Sequence, residues 1–440
     1  MARKGPAAAV LTPDGAVART FGQIEGESED VAAQLAGLQG GAVVSLQAPN
    51  VPAWPALLLG IWKAGGCVLL VDHAMGGAGR EAAERACGAG LRAGPAEFAR
   101  LDHAAADFGG PGPDLIKLTS GTSGAPRAIL FSAAQLEADC DNVCGTMGIV
   151  ESDVNYGVVA FSHSYGFSSL VTPLLCRGIP LVAAQDAMPR AVLAGISAAG
   201  ATVLPAVPSV FQALSGLEGA LPSLRLCISA GAPLRPETAR AFRERFGRKV
   251  HTFYGASECG GIAYDAGEEE ISVAGFVGRA MRGVEIEPLD GGEILVRSAA
   301  VGIGCFPEKG EGPLDGIFKP ADFLKATPKG WEITSRRTDV INIGGRKTSP
   351  SEIEIVLLSH PSVREAVVFG VGSERRTEAI CACVVVDGDL DEGALRAYCA
   401  ERLAAWQLPR SIVRLEAIPV NARGKVSRAE LAQRFVRDGL

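Results

Sequence analysis

Short apolar runs alternate with longer amphipathic stretches through the first 250 residues or so, and this alternation constrains the fold more than any other feature of the chain. Runs of strand length lie at Val43–Leu46, Cys67–Val71, Tyr156–Ala160, Leu181–Ala184, Ala201–Leu204, Leu224–Ser229 and Val250–Phe253. Helical patterns fall at Ala53–Lys63, Ala134–Thr146, Pro189–Ala199, Ser209–Leu214 and Pro236–Phe246. Strands separated by helices return in the same direction, so parallel sheets with helices on their faces are predicted. The pattern changes near Asp265, where glycines and short strands such as Glu293–Val296 take over. After about Ser335 a compact tail reads strand, helix, strand, strand, helix, strand, helix. Ser351–Leu358 and Glu392–Leu403 are its clearest helices. The expected fold class is therefore α/β. A large N-terminal domain of β–α layers spans residues 1–335, and a smaller α+β domain spans residues 336–440.

Composition narrows the function classes. With 48% hydrophobic and 21% charged residues the chain is not globally disordered. Lys and Arg total 42 against 49 Asp and Glu, a formal charge of −7, which offers no general basic field for nucleic acid. Eleven cysteines include the close pairs Cys140/Cys144 and Cys381/Cys383, but neither has the spacing of a zinc ribbon or redox pair. Reduced thiols in a cytoplasmic protein are the expectation. The basic start Met-Ala-Arg-Lys-Gly-Pro is not followed by a clean signal core. Pro55–Val71 and Tyr156–Cys176 are apolar but interrupted by polar or turn-forming residues, so both read as buried helix–strand units.

The segment Thr119-Ser-Gly-Thr-Ser-Gly-Ala-Pro-Arg127 follows the strand-like Asp114–Leu118. Glycines let backbone approach a ligand closely, hydroxyls and amides wrap phosphate oxygens, and Arg127 adds a cation. No Gly-Lys-Ser/Thr follows at Walker A spacing, so a P-loop kinase or GTPase is disfavoured. Upstream, Gly77-Ala-Gly79-Arg-Glu-Ala82 fits a dinucleotide fingerprint. Asp72–Gly76 intervenes where that fingerprint needs a tight strand-to-helix turn, so a surface loop is expected there.

Thr119–Arg127 closely resembles the phosphate-loop signature of the adenylate-forming superfamily, which contains acyl- and aryl-CoA synthetases, peptide-synthetase adenylation domains and luciferases. Further matches follow in the family's order. Ala230-Gly-Ala-Pro-Leu234 resembles its adenine-side loop, and Tyr254-Gly-Ala-Ser-Glu258 its Tyr-Gly-x-Thr-Glu motif. Asp322 stands where a ribose-binding Asp is found, and Ser335–Gly345 resembles the hinge and the loop after it. Pro350-Ser-Glu-Ile-Glu354 matches the next helix, and Asn421–Arg428 the C-terminal lysine motif.

The resemblance implies roles. Thr119, Ser120, Gly121, Thr122, Ser123, Gly124 and Arg127 would bind ATP phosphates, with Ser257 beside them. Gly231, Ala232, Pro233, Tyr254 and Gly255 would face adenine, and Asp322 and Arg336 the rest of the nucleotide. Glu258 would be the Mg2+ ligand, and Lys425 would bridge the substrate carboxylate and the α-phosphate. Activating a carboxylate with ATP sets an anion against an anion, and cations with a metal offset that repulsion. Three positions depart from the family. Arg127 replaces the usual Lys, Pro320-Ala321 replaces Thr-Gly before Asp322, and Thr338, next to Asp339, replaces a charged hinge residue. The hinge is expected near 338–339.

Amino-acid-activating members hold the amine with an Asp after a Phe; here Ser162 occupies that place in Phe161-Ser-His-Ser-Tyr-Gly166. No carboxylate lies between Asn155 and Asp186, so a buried ammonium would lack a partner in this stretch. The expected substrate is an aryl or fatty acid without an α-amine. His163 resembles the gate of acyl-CoA synthetases, and Ser162, His163, Tyr165, Cys259, Gly260 and Gly261 are expected to line the acyl pocket. Gly344 and Gly345 would flank a pantetheine channel that suits coenzyme A or a carrier-protein phosphopantetheine equally. Three readings follow: a CoA ligase, a stand-alone adenylating enzyme loading a carrier protein or an amine, and a non-catalytic nucleotide-binding homologue. The first is the expected activity; the departures at Arg127, Pro320-Ala321 and Thr338 keep the last open, and the retained Glu258 and Lys425 oppose it.

Overall fold

The computed structural model describes residues 4–95, 97–108, 112–119, 127–307, 312, 315–336, 341–343, 346–348, 350–372, 378–388, 391–420 and 426–438. The chain divides into two compact units. The first comprises Met1–Leu289, Ile294–Pro320 and Ala326–Glu332; the second comprises Asp290–Glu293, Ala321–Lys325 and Ile333–Leu440. As the β–α alternation predicts, the first unit is a large mixed α/β assembly and the second a smaller α+β one.

Two sheets organise the first unit. In one, Val43–Gln47 lies parallel to Cys67–Val71 and to Ala89–Ala93, and Cys67–Val71 lies parallel to Leu115–Thr119. Arg127–Phe131 then runs antiparallel to Leu115–Thr119, with Leu115 opposite Phe131 and Thr119 opposite Arg127. The phosphate-loop segment is thus the connection of a hairpin. In the other sheet Ala8–Leu11, Leu181–Ala183, Asn155–Gly157, Val203–Ala206, Leu226–Ser229 and Val250–Ala256 are neighbours in that order, all parallel. Gly260–Tyr264 and Phe276–Ala280 continue it antiparallel. Strands buried on both faces need no polar alternation, which is why Cys-Val-Leu-Leu-Val at 67–71 is apolar throughout.

One apolar cluster draws side chains from both sheets and includes the fully buried Trp54. Trp54, on the helix Trp54–Lys63, meets Phe161 edge-on at 5.8 Å and Phe167 at 6.3 Å between centroids. Each such fully buried ring contributes about 1.5–3 kcal/mol. The second unit has a hairpin, Ile341–Ile343 with Arg346–Thr348, and three strands, Val363–Gly372, Glu378–Val386 and Ser411–Arg414. Its helices are Pro350–Leu358, Glu392–Ala400 and Arg428–Asp438. Arg428 forks onto Glu354 at 2.8 and 3.0 Å, tying the first of these helices to the last.

Several elements differ from the sequence reading. The expected strand Tyr156–Ala160 is only Asn155–Gly157. The buried Asn50 replaces the missing ladder: its Nδ2 donates to Gly157 O at 2.8 Å and Val159 O at 2.9 Å, while Phe161 N donates to its Oδ1 at 2.9 Å. The expected loop at Gly77–Ala82 is a helix, Gly77–Ala86. Its glycines are poor helix formers, but tertiary contacts override them. The buried Glu84 carboxylate accepts from Arg92 Nε and from Ser45 Oγ, both at 2.7 Å. The helix expected over Glu392–Leu403 ends at Ala400. All eleven cysteines are free, and nine are buried. Among the described residues no helix is long and apolar enough to cross a membrane.

Candidate active site

The strand Val250–Ala256 ends in a turn, Ser257–Cys259, that leads directly into Gly260–Tyr264. Glu258 is half-buried in this turn. Its carbonyl accepts from Gly302 N at 2.9 Å, and Cys259 N donates to Ala256 O at 3.2 Å, so the backbone around the carboxylate is fixed. Ser257 Oγ accepts from Ser164 Oγ at 2.9 Å. That bond joins the Glu258 turn to the turn that carries His163.

The His163 turn sits just before a short helical stretch, Ser164–Gly166, and a π-helical segment, Phe167–Val171. Gly166 is required here, because a Cβ would meet Ala160 O at 2.1 Å. His163 Nε2 lies 3.0 Å from Asp72 Oδ2. No carboxylate lies between Asn155 and Asp186, yet the fold brings Asp72 to this turn from the far sheet. Ser162 Oγ is buried and has no hydrogen-bond partner among the described residues. Tyr165 donates its hydroxyl to Ile228 O at 2.9 Å, and burial pushes that phenol well above its usual range. Its hydroxyl therefore serves the fold.

Behind the Glu258 turn lies a buried charge cluster that sequence reasoning missed. Lys117, on Leu115–Thr119, is 2% exposed, with its ammonium 4.6 Å from the ring centroid of Phe131 and 5.3 Å from that of Phe167. Cation–π contact offsets part of its desolvation. Burial lowers its pKa, opposed by the neighbouring charges of Asp139 and Glu258. Asp139, 3% exposed, accepts from Gly261 N at 2.9 Å. Gly260 has φ +67°, and a Cβ there would lie 2.0 Å from Asp139 Oδ1. Cys259 is fully buried, and burial pushes its thiol well above the usual range.

The remaining expected residues are placed as follows. Thr119 and Arg127 face each other across the hairpin, and Thr119 Oγ1 donates to Arg127 O at 3.4 Å. Arg127 Nη2 donates to Cys305 Sγ at 2.8 Å. Ser120, Gly121, Thr122, Ser123 and Gly124 lie outside the described residues. Gly231, Ala232 and Pro233 are exposed after Leu226–Ser229. Tyr254 is 6% exposed and Gly255 is open. Asp322 and Arg336 belong to the second unit, Asp322 buried at the start of Asp322–Thr327. Gly344, Gly345 and Lys425 belong to it as well and lie outside the described residues, as do Thr338 and Asp339. Among the described residues no group of three or more His, Cys, Asp or Glu is arranged to hold a metal. A half-buried carboxylate beside a hydroxyl does suit Mg2+, which takes few protein ligands and fills its shell with water and phosphate oxygens.

Comparison with known proteins identifies the family. A family model described as AMP-binding enzyme matches residues 1–105 and 113–304, and one described as AMP-binding enzyme C-terminal domain matches 352–425. A probable CoA ligase, CCL9, of Humulus lupulus is 29% identical over 342 residues, covering 72% of this chain and 65% of its own length. The chain thus spans less than two thirds of that relative. Feruloyl-CoA synthase of Amycolatopsis sp is 27% identical, covering 99% of this chain and 97% of its own. The solved structure of ATP-bound MatB from Rhodopseudomonas palustris superposes with a TM-score of 0.83 at 25% identity, covering 97% of this chain and 95% of that one. The chain belongs to the AMP-binding enzyme family, the adenylate-forming superfamily that its motifs resemble.

Proposed function

We propose that the chain activates a carboxylic acid lacking an α-amine, aryl or fatty acyl, with ATP, and passes the acyl group from the adenylate to coenzyme A. The observation that carries this reading is the Ser164–Ser257 hydrogen bond, which sets the acyl-side turn against the Glu258 turn. In the first half-reaction a substrate carboxylate oxygen attacks the α-phosphate and pyrophosphate leaves. Glu258 and Ser257 would hold Mg2+, which when bound neutralises phosphate charge. Thr119, the 120–124 loop and Arg127 bind phosphate oxygens. Gly231–Pro233, Tyr254 and Gly255 border adenine, and Asp322 and Arg336 hold the rest of the nucleotide. Lys425 supplies a mobile ammonium to the carboxylate and α-phosphate. Ser162, His163, the Tyr165 ring and Cys259–Gly261 border the acyl group. Ser162 in place of a carboxylate supports a substrate without an amine. In the second half-reaction a thiol enters past Gly344 and Gly345, with the domain 336–440 turning about the hinge near 338–339.

Hydroxylamine trapping tests the reading. The right acid with ATP should give a hydroxamate, and added coenzyme A should give thioester and AMP. Lys425→Ala should cut hydroxamate formation by about 10²–10³-fold, as for loss of one preorganised electrostatic donor. It should affect thioester formation from supplied adenylate far less. Transfer only to a carrier protein or an amine would replace coenzyme A as acceptor, and equal losses in both half-reactions would contradict the two-pose scheme.

A further inference from the structure

The turn Asp72–Gly76, which spoils the dinucleotide fingerprint, delivers a carboxylate to the candidate site. Asp72 follows Cys67–Val71 at its carboxyl end, where open α/β sheets place their ligand-binding residues. Its side chain is 13% exposed, and that of His163 31%. Asp72 Oδ1 accepts from Ala74 N at 2.9 Å, and its carbonyl accepts from Met75 N and Gln47 Nε2, each at 3.0 Å. Gln47 Oε1 accepts from Arg80 Nη1 at 2.8 Å, so the helix Gly77–Ala86 braces the turn. From the same sheet Asn50 pins the backbone at Gly157, Val159 and Phe161. Two loops of one sheet therefore fix His163, Asn50 through the main chain that leads to it and Asp72 through its ring. An ionised carboxylate only accepts, so Nε2 carries the proton and Nδ1 the lone pair.

We propose that Asp72 is a positioning residue for acyl transfer, holding His163 in the orientation and tautomer that leave Nδ1 free to accept the proton of the incoming thiol. The proposal rests on the thioester step given above, and it adds the role of a base to His163, which is placed there only at the border of the acyl group. In that step the S–H proton passes to Nδ1 and sulfur bonds to the acyl carbon. The bond from that carbon to the phosphate oxygen breaks, AMP leaves with the electron pair, and the imidazolium later gives its proton to water. The Asp72 carboxylate faces the charge that forms on the ring.

The test measures both half-reactions in the full chain, with the acid identified by hydroxamate trapping. Asp72→Ala should slow acyl transfer to coenzyme A by about 10-fold or more, within the range of a general base's contribution. Adenylation should stay within about threefold of wild type. Asp72→Asn has one side-chain oxygen where Ala74 N and His163 Nε2 use two, so it should slow transfer about as much as Asp72→Ala while keeping the side-chain shape, which guards against a folding defect in the alanine variant. His163→Ala should lose at least as much as Asp72→Ala, and the double variant no more than His163→Ala alone, because the two act as one unit. Equal losses in both half-reactions, additive losses in the double variant, or an asparagine variant as fast as wild type would overturn the proposal. Normal transfer in His163→Ala would remove the underlying role of His163, and the Asp72 proposal with it. Absence of any adenylate in wild type would instead sink the proposed function itself.

Discussion

Two polar seams flank Glu258, and they are built on opposite principles. Lys117, Asp139 and the Gly261 amide are sealed from solvent, with aromatic rings over the ammonium. Asp72, His163, Ser164 and Ser257 form the other seam from half-open side chains joined by direct hydrogen bonds. A buried charge that loses its partner is expensive, because nothing else can solvate it. A half-open pair can be broken and rewetted at modest cost. The sealed seam should therefore govern stability, and the half-open seam should govern chemistry.

The largest stability effect is expected for Asp139→Ala. It removes the acceptor of the Gly261 N–H and the negative charge that acts most strongly on Lys117. A loss of about 3 kcal/mol is predicted, read by denaturant unfolding. A loss below about 1 kcal/mol would erase the distinction between the seams. Asp72→Asn, on the half-open side, should change unfolding by less than that amount.

A smaller, pH-dependent effect is expected for Lys117→Met. Burial holds the Lys117 pKa below its ordinary value of 10.5, so the unfolded chain binds this proton more tightly than the folded one. Stability due to this group must then rise with pH between the lowered folded pKa and 10.5. Wild type should gain on Lys117→Met across that window, by at most about 1.4 kcal/mol per pH unit. A constant difference between the two proteins from neutral pH to pH ~10 would contradict a Lys117 pKa lowered by burial.

Much of this arrangement is legible in the sequence because it is local. The apolar runs and their helical spacers fix the parallel strands to within a few residues, and Tyr254–Glu258 reads directly as strand and turn. The Gly77–Ala86 helix escapes, because a buried Glu84–Arg92 pair, invisible locally, outweighs its glycines. Asp72 escapes for a similar reason: it looks like the residue that breaks a motif, and only the packing of two sheets brings it to His163. Lys117 does leave a signal, as the one charge within the apolar strand Leu115–Thr119. A lysine flanked by Ile116 and Leu118, two residues before a phosphate-loop segment, is a buried cation waiting for a reason. Asp139 has no comparable mark, since a carboxylate on a helix is ordinarily solvated.

The central claim is that this site adenylates a carboxylic acid, and acid-dependent ATP–pyrophosphate exchange tests it most directly. A panel should pair aliphatic and aromatic acids with their α-amino counterparts, with Glu258→Gln as the control. The account predicts exchange that requires an acid, is stronger for the acid lacking the amine, and falls by about 10²-fold or more in Glu258→Gln. Exchange with no acid in a broad panel, or robust exchange with an amino acid and none with its deaminated analogue, would contradict it.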